Sequence, residues 1–198
     1  MVRLKTRRGR KLLVLPAVTS LLFGAAARAE PHAIDTRKSV MTVRVYKAGL
    51  FSTFAHDHEI SAPIAEGTVD NAAPRVVLRL DAGALRVSDP KASEKERNEI
   101  QKTMLGAEVL DVERYPKIVF ESTAAEPAGS DSWTVQGSLT LHGQTRPVTV
   151  KVSERDGRYA GTAILKQTDF GIKPIRIAGG TVRVKDEVRI EFDIGLAK

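Results

Sequence analysis

An alternation of apolar and polar residues near the C-terminus constrains the fold more than any other feature of the sequence. Six apolar residues occupy even-numbered positions there, namely Val182, Val184, Val188, Ile190, Phe192 and Ile194. Most of the residues between them are charged or polar. Because successive side chains of a β-strand point to opposite faces, this pattern predicts a strand with one buried face and one face in water. Such strands are typical of antiparallel sheets.

The same alternation recurs in short segments through most of the chain. Its apolar positions include Val76, Leu78 and Leu80, then Ile118 and Phe120, then Trp133, Val135, Leu139 and Leu141, and then Val148, Val150 and Val152. The segments are separated by turn signals at His142-Gly143, Asp156-Gly157, Gly179-Gly180 and Lys185-Asp186-Glu187, and by a polar loop over residues 126–132. We therefore predict an all-β meander of about eight strands, which closes into a barrel because closure removes exposed strand edges.

One segment departs from the alternation and is rich in helix-forming residues. Residues 90–106 read PKASEKERNEIQKTMLG, and Ser93 followed by Glu96 forms a capping box. Ile100 and Met104 stand one helical turn apart, with few other apolar residues around them. The segment predicts a single, largely exposed helix of about three turns, ending at Gly106.

The first 29 residues carry the pattern of an export signal. Residues 1–11 contain six basic residues and no acid, residues 12–27 carry no charge, and Ala27-Arg28-Ala29 places small residues where signal peptidase cleaves. The uncharged run is sixteen residues long, shorter than the ~20 residues of a membrane-spanning helix. We predict cleavage after Ala29, a single domain over residues 30–198, no integral membrane span after processing, and a periplasmic or secreted location. The choice between general and twin-arginine export, raised by Arg7-Arg8, stays open.

Composition excludes several classes of function for the processed chain. Residues 1–29 hold seven of the 31 Lys and Arg and none of the 24 Asp and Glu, so 24 basic residues remain against 24 acidic ones. No excess of basic charge is left for nucleic acid. The chain has no cysteine, and therefore no disulfide, thiol nucleophile or thiolate metal site. It also lacks the common hydrolase, zincin, P-loop and dinucleotide-binding motifs. We predict that it is not an enzyme and has no cofactor apart from a non-covalently bound lipid.

The densest polar cluster is the segment around His56, Asp57 and His58. On a strand, His56 and His58 would point to the same face, about 7 Å apart. Two imidazoles on one face can share a metal with a third ligand, for which His142 is a candidate. A polar turn or a hydrogen-bonded pair near a barrel rim is the other interpretation, and the short His-x-His pattern does not decide between them.

Four motifs in register resemble the YceI-like family of periplasmic, lipocalin-like barrels. They are Leu110-Asp111-Val112-Glu113-Arg114-Tyr115-Pro116 with Ile118, Phe120 and Ser122; Val135 to Val148 with Leu141-His142-Gly143; Asp169-Phe170-Gly171-Ile172; and Val184-Lys185-Asp186-Glu187-Val188. The resemblance extends over residues 35–196. It implies a single eight-stranded antiparallel lipocalin-like barrel with one short α-helix over an opening.

The resemblance also implies an apolar channel that holds a polyisoprenoid or isoprenoid-quinone chain, with no established enzyme activity. The expected ligand-binding residues are Val43, Val45, Phe54, His56, His58, Phe120, Leu139, Ala163, Phe170 and Ile190. Small inward residues such as Ala163 and Gly161 would leave volume for a guest. Family members commonly carry a lone histidine after the first strand, so the His56-Asp57-His58 segment leaves the head group of the ligand open.

Three functions therefore follow as hypotheses from the sequence. The first is an exported protein that carries or sequesters an isoprenoid lipid or quinone. The second is a metal-binding stress protein or hydrolytic enzyme using His56, His58 and His142. The third is a structural module for a partner protein. The oligomeric state, with a homodimer as one option, is left open.

Overall fold

The computed structural model describes residues 31–48, 57–70, 75–177 and 182–197. The predicted signal peptide lies outside these ranges. The strands are β1 (His32–Ala33), β2 (Val40–Ala48), β3 (His58–Ser61), β4 (Glu66–Asp70), β5 (Arg75–Asp81), β6 (Arg86–Val87), β7 (Lys117–Gly129), β8 (Ser132–Leu141), β9 (Gln144–Arg155), β10 (Arg158–Lys166), β11 (Arg176–Ile177) and β12 (Val182–Gly195). The α-helix is α1 (Glu94–Leu105), and 3-10 turns cover Ala82–Ala84 and Gln167–Phe170. Within the described ranges, no helix is long and apolar enough to cross a membrane.

All the strands belong to one antiparallel sheet that curls around a common interior. Its order is β1-β4-β5-β7-β8-β9-β10-β12-β2-β3-β6, with β11 paired to β12. The β1 segment reaches the far side of the sheet, because Ile34 bridges Leu196 and the amide of Asp35 donates to the carbonyl of Gly195. The all-β class and the antiparallel pairing are therefore confirmed, and the strands follow one another as a meander from β7 to β10.

The predicted count of eight strands is not confirmed, since the described ranges contain twelve strands. Four of these, β1, β3, β6 and β11, have only two to four residues. Alternation over two residues cannot be recognised in a sequence, because a period of two needs several repeats to stand out. These short segments are strands only because they form hydrogen bonds with other strands in the folded protein.

The apolar residues of the alternating segments face the interior of the sheet. Leu78, Leu80, Val135, Val150 and Ile194 are all buried there. In contrast, Ile164 on β10 falls on the opposite parity and is 65% exposed. The inner face is thus almost continuously apolar, as the period-two pattern predicts.

The predicted helix is confirmed, and it lies across one end of the barrel, which we call the helix end. The Ser93 hydroxyl accepts from the amide of Glu96, and the Glu96 carboxylate accepts from the amide of Ser93, so the capping box is complete. Most of the helix is exposed, and Met104 is its one buried residue. The side chain of Gln101 fixes the helix to the strand before it, accepting from the amide of Val87 and donating to the carbonyl of Leu85, both at 2.8 Å.

Two predicted turns are confirmed by their backbone angles. His142-Gly143 joins β8 to β9, and Asp156-Gly157 joins β9 to β10. Both residues of each pair have positive φ, between 50° and 72°. Two-residue hairpins favour this conformation because its twist matches that of the flanking strands.

Two other predicted turns are wrong. The polar loop over residues 126–132 is reduced to two residues, since β7 continues to Gly129 and β8 begins at Ser132. The Lys185-Asp186-Glu187 segment lies inside β12, where the pairing with β2 shifts register between Val184 and Val188. A bulge accommodates extra polar residues without ending the strand. Gly179-Gly180 lies outside the described residues.

Candidate functional site

The interior of the barrel contains an apolar cavity of about 480 Å³. Six of the predicted ligand-binding residues line it, namely Val43, Val45, Phe120, Leu139, Ala163 and Ile190. The cavity runs from Met104 at the helix end to Trp133 and Tyr159 at the other end. Residues 133 and 141 are both on β8, about 26 Å apart along an extended strand, so the tilt of barrel strands makes the path roughly 20 Å long.

One row of paired residues forms the middle of the cavity wall. Val43 pairs with Ile190, Ile190 with Ala163, Ala163 with Val150, and Val150 with Val135. These five residues come from five neighbouring strands and point to the same face. Ala163 has the smallest side chain of the five.

Gly161 lies two residues from Ala163 on the same face of β10. It was predicted to leave space for a guest, but the structure shows that this space is occupied. A Cβ built at Gly161 would lie 2.5 Å from Cζ of Phe192, which is its partner on β12. A Cβ at Gly137 would lie equally close to the ring of Phe120. The two aromatic rings therefore occupy the room above the glycines, and the sequence did not reveal this because the pairing is tertiary.

Phe170 and His58 do not line the cavity, although both were predicted in the site. Phe170 is 1% exposed and belongs to the 3-10 turn Gln167–Phe170, where it packs into the core. Nδ1 of His58 lies 3.1 Å from Oδ2 of Asp89, a carboxylate that is only 2% exposed. Asp89 also accepts from the amide of Lys91. Phe54 and His56 lie outside the described residues.

The two described candidate metal ligands each have a partner of their own. His142 packs against Tyr115, with ring centroids 4.6 Å apart and ring planes tilted by 60°, and its Nδ1 lies 3.1 Å from the carbonyl oxygen of Phe170. His58 faces Asp89. Over the described ranges, no group of three or more His, Cys, Asp or Glu side chains is arranged to hold a metal ion. Among the described residues, His58 thus contacts Asp89, and His142 contacts Tyr115 and the Phe170 carbonyl.

The metal content of the purified protein distinguishes a metal-binding role of these histidines from a structural one. Because His58 contacts a buried carboxylate, the wild type and the double variant H56A/H58A should both show metal at background level. Inductively coupled plasma mass spectrometry for zinc, copper and iron measures this. Stoichiometric metal in the wild type, lost in the double variant, would restore the metal-site hypothesis.

A second concave region, which we call the basic cleft, lies outside the barrel wall at the helix end. It is lined by five cationic residues, Lys166, Lys173, Arg176, Arg183 and Lys185, and by three acidic ones, Glu108, Asp186 and Glu187. Burial tends to raise the pKa of Asp186, but hydrogen bonds from Thr168 and the charge of Lys166 outweigh it and lower that pKa. The cleft is thus net positive, in contrast to the apolar cavity.

Sequence reasoning missed two features of this site. Asp89 has no motif around it, and only the fold shows that its carboxylate is buried against His58. Trp133 and Tyr159, with ring centroids 6.5 Å apart, frame one end of the cavity. The alternation of β8 predicts that Trp133 points inward. It does not predict that Trp133 lies beside Tyr159.

An antiparallel sheet curled around an apolar cavity, with one helix across an end, is typical of small β-barrel proteins that enclose a cavity. The sequence profile of the YceI-like domain matches residues 32–196. The chain therefore belongs to the YceI-like family.

Curated relatives and solved structures agree with this assignment. A UPF0312 protein of Vibrio cholerae is 30% identical over 196 residues, covering 89% of this chain and 93% of the relative. A UPF0312 protein of Pseudomonas putida is 41% identical over 86 residues, or 38% of this chain and 44% of that protein. The crystal structure of Burkholderia cenocepacia BcnA covers 83% of this chain and 99% of its own, with a TM-score of 0.59 and 21% identity. At that identity the structural likeness shows the fold alone.

Proposed function

We propose that this protein binds a polyisoprenoid or isoprenoid-quinone chain in the barrel interior and carries or sequesters it outside the cytoplasm. The observation that carries the proposal is the apolar cavity of about 480 Å³, which lies in the range of about 300–1,000 Å³ typical of small-molecule sites. The predicted export signal supports the extracytoplasmic location, and the family assignment supports a binding role.

The shape and chemistry of the cavity favour a chain-like lipid. Its lining is overwhelmingly aliphatic and aromatic, and it extends along the barrel axis. Each buried methylene contributes about 0.8 kcal/mol, so a long prenyl chain gains affinity without any polar contact. A compact polar ligand would leave its hydrogen-bonding groups unpaired against these walls, at a cost of about 1–3 kcal/mol for each group.

Organic extraction of the natively purified protein, followed by mass spectrometry, tests the proposal. We expect a prenyl lipid in the extract at a fixed ratio to protein. Wild-type protein that yields no lipid, and that takes up neither geranylgeraniol nor decylubiquinone when these are supplied, would contradict it.

The variant Ala163→Leu is predicted to empty the cavity without loss of stability. Ala163 lines the cavity and has the smallest side chain of its row, so a leucine there extends into the cavity. In a filled core the same change overpacks and costs about 1–3 kcal/mol. We expect a Tm at least equal to that of the wild type and a large loss of extracted lipid.

Ala160→Leu is the matched control, because Ala160 lies on the same strand with the opposite parity. It should keep the wild-type lipid content. An Ala163→Leu variant that loses stability yet retains its lipid would show that the interior is packed solid at this point.

A further inference from the structure

We infer that two arginines of the basic cleft, Arg176 and Arg183, bind the phosphate groups of anionic phospholipids, and that the cleft therefore docks on a negatively charged membrane surface. The inference goes beyond the proposed function, on which only the choice of a membrane as the partner rests. It follows from the way the structure neutralises arginines elsewhere in the same sheet.

The two arginines lie directly opposite each other in the sheet. Arg176 on β11 is the cross-strand partner of Arg183 on β12, and both side chains are exposed. Residues paired in this way share a face of the sheet and have Cβ atoms about 4.5–5.5 Å apart, so like charges at such a position destabilise the pairing. A negative charge between the two guanidinium groups would remove this cost.

Another arginine pair that includes a residue of β12 is neutralised by carboxylates of the protein itself. Arg44 on β2 is the cross-strand partner of Arg189 on β12, and the carboxylate of Glu191 bridges them. Its Oε2 lies 2.7 Å from Nε of Arg44, and its Oε1 lies 3.1 Å from Nε of Arg189. Glu59 adds a second carboxylate, with Oε2 2.9 Å from Nη1 of Arg44. Opposed arginines in this sheet can thus be held by a bridging anion.

Arg176 and Arg183 have no bridging carboxylate of this kind. Over the part of the chain that the structure describes, neither side chain forms an ion pair. The sequence segments that adjoin the pair outside that part, residues 49–56 and 178–181, contain no Asp or Glu. The bridging anion is therefore expected to come from another molecule.

The acidic residues of the cleft are engaged with other groups or stand apart from the pair. Asp186 accepts hydrogen bonds from the amide and the hydroxyl of Thr168, at 2.9 and 2.7 Å. Glu187 is the cross-strand partner of Lys166, so these two charges compensate each other. Glu108 is exposed on the segment after α1. The positive charge of the cleft is thus concentrated at its other cations.

Two lysines extend the positive surface around the arginine pair. Lys173 and Lys185 line the same cleft, and both are exposed. Nζ of Lys185 lies 5.8 Å from the centre of the Tyr46 ring. Tyr46 shares its face of β2 with Ala48, the cross-strand partner of Arg183. Lys185 and the arginine pair therefore lie on one face of the sheet.

The exposure of these cations favours a membrane over a free anion. A single phosphate gains little from ion pairs that are open to water. A bilayer with anionic lipids presents many phosphates at once, and each Lys or Arg near its surface raises the affinity roughly fivefold. Guanidinium groups also match the geometry of phosphate in a bidentate contact. A lipid carrier has to exchange its lipid with a membrane, which favours a bilayer over an acidic protein.

Co-sedimentation of the processed protein with phospholipid vesicles tests the docking surface. We expect binding to vesicles of phosphatidylglycerol and phosphatidylcholine at low ionic strength, and binding on the order of tenfold weaker to vesicles of phosphatidylcholine alone. Added salt should release the protein, because it screens exposed charges. Wild-type protein that does not distinguish the two vesicle compositions would overturn the inference. Organic extraction tests the proposed function separately, since it involves no vesicles.

The variant Arg176→Glu supplies from within the carboxylate that the pair lacks. We expect a Tm at least equal to that of the wild type, because opposite charges then face each other across the strands. Binding to the anionic vesicles should weaken on the order of twentyfold, because two units of charge change at the surface. Arg176→Gln, which removes the charge without creating a new pair, should weaken binding about fivefold and gives the answer if Arg176→Glu does not fold.

Arg155→Glu is the matched control. Arg155 is the cross-strand partner of Arg158 in the hairpin between β9 and β10, at the opposite end of β10 from Lys166. The substitution changes the net charge of the protein by the same amount as Arg176→Glu, but far from the cleft. It should alter binding to the anionic vesicles by no more than about twofold, because salt screens distant charges.

Several outcomes would overturn the docking surface. Folded Arg176→Glu or Arg176→Gln that binds the anionic vesicles like the wild type would remove the arginine pair from the contact. Equal losses in Arg176→Glu and Arg155→Glu would show that net charge alone attracts the protein. Inorganic phosphate that releases the protein better than sodium chloride at equal ionic strength would assign the pair to a free anion. Polyglutamate bound as tightly as the vesicles would assign it to an acidic protein segment.

Discussion

Replacing Ile190 with aspartate is expected to lower the free energy of unfolding by roughly 3–5 kcal/mol at neutral pH. Ile190 lies in the cavity wall between Val43 and Ala163, which are both apolar. The change removes a half-buried aliphatic side chain and places a charge among apolar residues. Urea denaturation followed by circular dichroism measures the loss.

The pH dependence of this variant gives a second readout. Burial raises the pKa of a carboxyl group in the folded state above its unfolded value of about 3.9. The folded state then binds more protons than the unfolded state, so the penalty is largest above the folded pKa and shrinks as the pH falls through it. We expect the variant to approach the wild type in stability at acid pH.

Ile164→Asp is the matched control, because Ile164 on the neighbouring strand β10 is 65% exposed. Its substitution should change the free energy of unfolding by no more than about 0.5 kcal/mol, as is usual for surface positions. Equal losses in the two variants would contradict the inward and outward faces that the register assigns.

Phe170→Ala is the second substitution with a large expected effect, a loss of about 3–5 kcal/mol in the free energy of unfolding. Phe170 is 1% exposed, and its ring fills the core at the helix end. The surrounding backbone is held by the hydrogen bond between His142 and the Phe170 carbonyl, so the space left by the ring cannot collapse fully. Thermal or chemical unfolding measures the loss.

Phe120→Ala gives the comparison, since Phe120 lines the cavity and is only half-buried. A ring with one face toward open volume has fewer packing contacts to lose, so its removal should cost less than removal of Phe170. It should also change the amount of lipid extracted, which Phe170→Ala should alter only through stability. A larger loss of stability for Phe120→Ala would place Phe120 in a packed core.

The alternation of the sequence was sufficient to determine the class of fold. A period of two fixes which side chains share a face, whatever the strand pairs with, so the inward positions of Val150, Leu139 and Ile190 follow from local geometry. The capping box at Ser93 and the hairpin at His142-Gly143 are equally local, because each satisfies its own backbone within a few residues. These predictions are confirmed.

Other features of the fold and the site depended on which strands pair and pack together in the tertiary structure. The bulge in β12, the rings of Phe192 and Phe120 over glycines and the burial of Asp89 against His58 all join residues distant in sequence. The functional site also depended on tertiary contacts. In the sequence, Phe170 and Ile190 are both apolar residues that are expected inside the barrel. Only their packing separates a side chain that closes the helix end from one that lines the cavity.

The sequence by itself thus determined an antiparallel β-protein with one capped helix and the identity of its inner face, since these rest on side-chain periodicity and local hydrogen bonds. The tertiary structure alone decided the pairing of the twelve described strands and the cavity between the walls. The physical reason is that an inner face is a property of each strand, whereas an empty volume and its openings exist only where several strands leave space between them.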